Sequence, residues 1–304
     1  MSIAASVLFI VLLVTAGVWL AAVMDRVAEA VAAGRAISDP WRGPLANAAA
    51  LLARQRIATE RPDALNWLLA PAFYLALAAA GLSVVPVAPG VAATTIETGL
   101  VLWGACESLT VVVVFLHGWS ANSPLALIGA YRYVAIGLPV MLVSMFVLIA
   151  AALPAESLSV IAVVESQREL WNVLRQPLGL PLFILLGLSL TLRGPFDYAD
   201  AEDLSGGTSI EDSGPGRAAW QFARLAMLVS FSAMAATVFL GGHLGPVLPG
   251  PVWLVLKTVA VMVIVVAAGH AAPRLTPSRM MTLIWTVLLP LSFLDLIIAG
   301  LVAL

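Results

Sequence analysis

The sequence predicts an all-α polytopic membrane protein with eight transmembrane helices and structured cytoplasmic loops. Three observations predict it. Of 304 residues, 62% are hydrophobic and only 11% are charged, whereas soluble chains carry about 25% charged residues. The mean hydropathy is +1.03. Apolar runs of about 20 residues, the length a helix needs to cross a bilayer, recur eight times.

The runs are Ser2–Met24, Leu65–Val87, Thr98–His117, Leu125–Leu153, Pro177–Leu192, Arg224–Leu244, Val252–Ala271 and Met280–Leu304. Arginines follow the first run and no basic residue precedes it, the reverse of a signal peptide. The fifth is short and bounded by proline. Orientation follows from the arginines, because short cytoplasmic loops carry the basic excess. The first loop holds Arg26, Arg35, Arg42, Arg54, Arg56 and Arg61, the fifth Arg193 and Arg217, the seventh Arg274 and Arg279. The intervening loops have none except Arg168 and Arg175. Both termini are therefore expected outside.

The whole chain, 1–304, reads as one transmembrane domain. Its basic loop, 25–64, contains a segment from Pro44 to Arg56 that opens on proline and closes on arginines. This is the pattern of a helix lying on the membrane, or of one packed on other loops. Pro154–Arg175 is expected to lie along the outer surface. The acidic loop, 193–223, is the third segment outside the spans with a distinct character.

Several classes of function are excluded. A net charge of −2 argues against a nucleic-acid partner. The single cysteine, Cys106, leaves no disulfide framework and no thiolate metal site. His117, His243 and His270 show no ligand spacing, and the phosphate-loop, dinucleotide and zinc-protease motifs are absent. Neither a catalytic residue nor a metal ligand is expected.

In the acidic loop Asp197, Asp200, Glu202 and Asp203 fall within seven residues, opened by Arg193 and Pro195 and followed by Glu211 and Asp212. Crowded carboxylates raise one another's proton affinity and can share a proton. Arg193 is expected to order the loop or to bind a partner's carboxylate. A solvated acidic linker is the plainer alternative. Within the spans, each charge costs about 2.5–3.5 kcal/mol unless it is compensated. Counting along the helices puts Glu107 near the depth of Arg132, and Lys257 near that of Asp295. Two pairs are expected, Glu107–Arg132 and Lys257–Asp295, as static ion pairs or as proton sites.

The loop edges carry a resemblance. Gly118-Trp119-Ser120-Ala121-Asn122-Ser123, Leu127-Ile128-Gly129-Ala130-Tyr131-Arg132, Arg193-Gly194-Pro195-Phe196-Asp197, Asp203-Leu204-Ser205-Gly206-Gly207 and Phe239-Leu240-Gly241-Gly242-His243-Leu244-Gly245-Pro246 are collinear. Together they resemble the NuoH family, the membrane subunit of respiratory complex I that anchors its peripheral arm, and its relatives in membrane-bound hydrogenases. Lys257, Pro273-Arg274, Met281, Trp285 and Leu288-Leu289-Pro290-Leu291 fit the same pattern. Before Gly118 only the layout agrees.

There are departures. Leu190 and Arg224 stand where the family carries glutamate. Ile136 stands where it carries glutamine, and Pro139-Val140-Met141 where it carries a Ser-Tyr-Glu run. The resemblance implies an anchoring subunit in a prokaryotic inner membrane, with no cofactor of its own and a degenerate proton relay. It would dock hydrophilic redox subunits, contact other membrane subunits and the lipid bilayer, and form one wall of a quinone cavity or its remnant. A nickel–iron hydrogenase subunit and, in a different class, a secondary transporter are the alternative readings.

Overall fold

A computed structural model describes residues 3–37, 39–200 and 206–303. The chain is a helical bundle. In order it contains α1 (Ile3–Ala32), α2 (Gly43–Ala53), α3 (Ala64–Ser83), a short hairpin of β1 (Pro86–Ala88) and β2 (Val91–Ala92), α4 (Gly99–Ser120) and α5 (Pro124–Ala152). The short helices α6 (Val160–Glu165) and α7 (Asn172–Arg175) precede α8 (Gly179–Leu190). Then come α9 (Gly214–Phe239), α10 (Gly250–Ala271), α11 (Pro277–Leu283) and α12 (Leu289–Ala303). A π-helical turn, Ile284–Leu288, joins the last two. Proline opens α2, α5, α9, α10 and α11, where its missing N–H is not needed.

Among the described residues seven helices are long and apolar enough to cross a bilayer: α1 over Ile10–Ala32, α3, α4, α5, α9, α10 and the continuous stretch Pro277–Val302. The expected fifth span is instead α8, a helix of 12 residues. At 1.5 Å per residue it is about 18 Å long, well short of the ~30 Å hydrocarbon layer. It is enclosed by the bundle, with Leu182, Phe183, Leu186, Leu188 and Leu190 buried. Hydropathy alone cannot separate such an enclosed half-length helix from a lipid-facing span. Gly179 at its start lies against Phe239, and the Thr191 and Leu192 carbonyls at its end face Arg224. So α8 runs antiparallel along the inner part of α9 and still joins the two ends of the bundle.

At the centre is α9, in which every residue from Ala226 to Phe239 is buried. It packs on α1, α2, α3, α8 and α10. Small residues let the backbones approach, as membrane helices require in the absence of a hydrophobic drive between them. Gly17 of α1 seats on Val229, and Gly187 of α8 seats on Phe231. Helix α2 packs on α1 and α9 with Leu51 inward, consistent with either expectation for Pro44–Arg56. The segment 154–175 keeps most of its residues at the surface and turns a few side chains inward. Gln167 and Asn172 are buried and bond the ends of α5 and α9 through the carbonyls of Ala151, Thr237 and Val238.

Candidate functional site

The acidic loop is folded into one end of the bundle. After α8 the chain turns at Leu192, whose φ of 54° is left-handed, and re-enters the protein. Phe196, Tyr198 and Ala199 are buried. The Tyr198 hydroxyl lies 2.5 Å from Ser189 Oγ, and its ring stacks on Tyr133 at 5.6 Å. Burial raises the Tyr198 phenol pKa above its ordinary value, so it is a neutral hydrogen-bonding group. Tyr74 donates to the Leu190 carbonyl. Gly129 of α5 makes room for the loop. A Cβ there would lie 2.6 Å from Ala199 O and 2.8 Å from Gly207 Cα.

The loop carboxylates are held separately. Asp200 pairs with Arg224 at 2.7 Å and accepts from the Ser209 N–H and hydroxyl. Arg224 also donates to the Leu192 carbonyl at 2.8 Å, closing the C-terminus of α8. Asp197 pairs with Arg274 at 2.8 Å, and Glu211 accepts from Ser123 Oγ at 2.6 Å. Asp212 lies 2.9 Å from His117 Nε2 and accepts from Trp67 Nε1 at 2.9 Å. His117 in turn stacks on Trp220, centroids 3.7 Å apart. Arg193 forms a bidentate pair with Asp25 of α1 at 2.5 and 2.7 Å, the stronger geometry for an arginine–carboxylate contact, and His270 Nε2 is 3.9 Å from the same carboxylate.

A cavity of about 760 Å³ opens between these elements. Its lining includes Asp25 and Glu29 from α1, Arg193, Asp197 and Asp200 from the loop, Arg217, Trp220, Gln221 and Arg224 from α9, and His270 and Arg274 beside the end of α10. Charges of both signs meet there, each lining carboxylate facing its own cation.

Of the expected loop residues, Arg193, Asp197 and Asp200 come together at this cavity, and Glu211 binds elsewhere on the loop's anchor. Glu202 and Asp203 lie outside the described residues. The intramembrane pairs do not form. Glu107 is buried and accepts from Trp103 Nε1 and from Ser144 Oγ at 2.8 Å. Ser144 sits twelve residues beyond Arg132 on α5, so the two charges are separated by about 18 Å along the axis. Counting in from the span ends misplaced them because α5, at 29 residues, outreaches the 22-residue α4. Lys257 turns from Asp295 to the C-terminus of α9, donating at 2.6 Å to the carbonyls of both Leu240 and Leu244, with its ammonium 4.3 Å over the Trp171 ring. Asp295 is buried, and its Oδ2 has no hydrogen-bond partner among the described residues.

Sequence reasoning missed Asp25, His117, Asp212, Trp220 and His270 as members of one site. Their partners lie 95 to 245 residues away, beyond any local spacing signal. Two cues were present: Asp25 is a carboxylate at the end of an apolar run, and His117 directly precedes the Gly-Trp-Ser stretch.

A family model described as NADH dehydrogenase matches residues 1–300. The chain is 34% identical over 241 residues to an NADH-quinone oxidoreductase H subunit of Rhodopseudomonas palustris (strain HaA2), covering 79% of this chain and 76% of the relative. It is 33% identical over 255 residues to an NADH-quinone oxidoreductase H subunit of Cereibacter sphaeroides (strain ATCC 17029 / ATH 2.4.9), covering 83% and 80%. To the corresponding H subunit of Syntrophotalea carbinolica (strain DSM 2380 / NBRC 103641 / GraBd1) it is 30% identical over 273 residues, covering 86% and 83%.

Proposed function

The chain belongs to the NADH dehydrogenase family, and from that premise we propose that it is the membrane-anchoring subunit of a complex-I-like quinone oxidoreductase. The relatives' names favour this over the hydrogenase and transporter readings. One observation carries it beyond the family: the described part of the acidic loop is packed into the bundle as an ion-paired end around a cavity of about 760 Å³. A solvated linker would not bury Phe196, Tyr198 and Ala199 to below 4% exposure. A folded surface with exposed charged edges can hold a partner in register, because rim charges steer and orient association.

In this reading the acidic-loop end faces the cytoplasm, as the arginine distribution implies, and both termini lie outside the inner membrane of a bacterium. Hydrophilic subunits carrying the redox centres dock on that end, and the cavity is one wall of the quinone chamber or its remnant. The chain carries no redox group of its own. Proton transfer along the family's usual carboxylate positions is interrupted by Leu190, Met141 and Arg224, since none of these side chains can release a proton at working pH.

The test is purification of an affinity-tagged chain from its native membranes in mild detergent. Hydrophilic subunits with iron–sulfur centres visible by electron paramagnetic resonance are expected to accompany it. A chain recovered alone, with no redox subunit in repeated preparations, would contradict the reading.

A further inference from the structure

We propose that the strap between α2 and α3, residues 54–63, receives an acidic segment of a hydrophilic subunit, with Ile57 as the apolar anchor. The inference rests on the anchoring role proposed above and names the chemistry of the partner. It starts from the described carboxylates of the acidic loop, which are already engaged within the chain. Asp197 and Asp200 pair with Arg274 and Arg224, Glu211 accepts from Ser123, and Asp212 accepts from Trp67 and faces His117. The charge left for a partner is on the strap. Segment 54–61 carries Arg54, Arg56 and Arg61 against Glu60 alone. All three arginines are exposed, and none has a carboxylate of the described residues within ion-pair distance.

The strap is held by its backbone, so its side chains point outward from a fixed course. The Ile57 N–H donates to Ser213 Oγ at 2.7 Å, and the Ile57 carbonyl accepts from the same hydroxyl at 3.1 Å. Asn122 donates to the Glu60 carbonyl at 2.9 Å, Thr59 donates to the Ala121 carbonyl, and the Asp63 N–H donates to the Ser120 carbonyl at 2.9 Å. The Arg54 and Gln55 carbonyls press on Gly214, where a Cβ would lie 2.7 and 3.0 Å from them. Arg56 lies over the Trp67 ring at 5.4 Å. Between these anchors Ile57 is 72% exposed. An apolar side chain held in water among arginines has the make-up of an interface, whose centre is apolar and whose composition is enriched in arginine. Holding it in place beforehand removes part of the ordering cost of association.

Position favours a protein over lipid as the occupant. Ser213 and Gly214 open α9, the central helix of the bundle. The strap therefore crosses the end face of the bundle and not its lipid-facing side. Arginine forks bind carboxylates with two parallel hydrogen bonds. The surface thus fits a segment that offers aspartate or glutamate to Arg54 and Arg56 and an apolar pocket to Ile57.

The test is a photocrosslinking residue at Ile57, irradiated in intact native membranes, with the crosslinked peptide identified by mass spectrometry. The expected product is a peptide of a hydrophilic subunit with aspartate or glutamate beside the crosslink. A tagged chain carrying Arg54→Glu and Arg56→Glu is expected to retain about ten-fold less of that subunit. Reversing the crosslinked acidic residues to arginine should restore retention, and Arg279→Glu, exposed on α11, should leave it unchanged. Crosslinks from Ile57 to lipid alone, or to a peptide without acidic residues, would overturn the proposal. So would full retention in the charge-reversed variant. Ile210 in the acidic loop separates this inference from the anchoring role. A hydrophilic subunit crosslinked from Ile210 but not from Ile57 sinks the inference and leaves the anchoring role standing, whereas silence at both positions contradicts both.

Discussion

Arg224 ties three segments together: the Asp200 carboxylate in the acidic loop, the C-terminal carbonyls of α8, and its own helix α9. The sequence showed the substitution, an arginine where the family carries glutamate, but not its compensation, because Asp200 is 24 residues away across a turn with no regular periodicity. The guanidinium is about a quarter exposed and Asp200 is nearly buried, so removing the cation leaves a carboxylate facing a low-dielectric wall. Arg224→Met is expected to destabilise the loop by about 2–3 kcal/mol, below the 3–5 typical of a fully buried pair. Arg224→Lys should recover only part of this, since one ammonium cannot serve the carboxylate and the carbonyls in the same plane. Thermal unfolding in detergent, followed by Trp220 fluorescence, is the measurement. Equal stability of Arg224→Met and the parent chain would show that the pair contributes nothing.

Helices were the most legible elements, because a run of twenty apolar residues has few other fates in a membrane. The expected Leu125–Leu153 and Val252–Ala271 became α5 and α10 with boundaries shifted by one or two residues. The reading ran out where apolarity stops meaning lipid contact. The enclosed helix α8 and the buried strand-like stretch after α3 both look like spans or their ends in hydropathy. The fold of the acidic loop was not legible either, although the glycine that admits it was: Gly129 sits in one of the stretches that carried the resemblance. In a helix, alanine is normally about 0.8–1.0 kcal/mol better than glycine. At Gly129 the added methyl meets loop backbone at 2.6–2.8 Å, and such overpacking costs about 1–3 kcal/mol. Gly129→Ala is therefore expected to loosen the loop, read as faster proteolysis between Arg193 and Ser213 in native membranes. Slower cleavage would mean that helix propensity outweighs the contact.

At the scale of the whole molecule, the two ends of the bundle differ in kind. At one, Lys257 and buried amides such as Gln167 and Asn172 satisfy carbonyls at the helix ends. At the other, paired charges surround an open cavity and a folded loop. Composition and the arginine asymmetry predicted which end carries the charge, while the cavity emerged only from contacts between α1, α9, α10 and the loop. The central claim is that the acidic-loop end docks the hydrophilic redox subunits. It is tested most directly by placing a photocrosslinking residue at Ile210 in the loop or at Val247 on the opposite end, 41% and 84% exposed respectively, and irradiating intact membranes. Crosslinks from Ile210 to a hydrophilic iron–sulfur subunit, with none from Val247, are predicted. Crosslinks to such a subunit from Val247, with none from Ile210, would contradict the account.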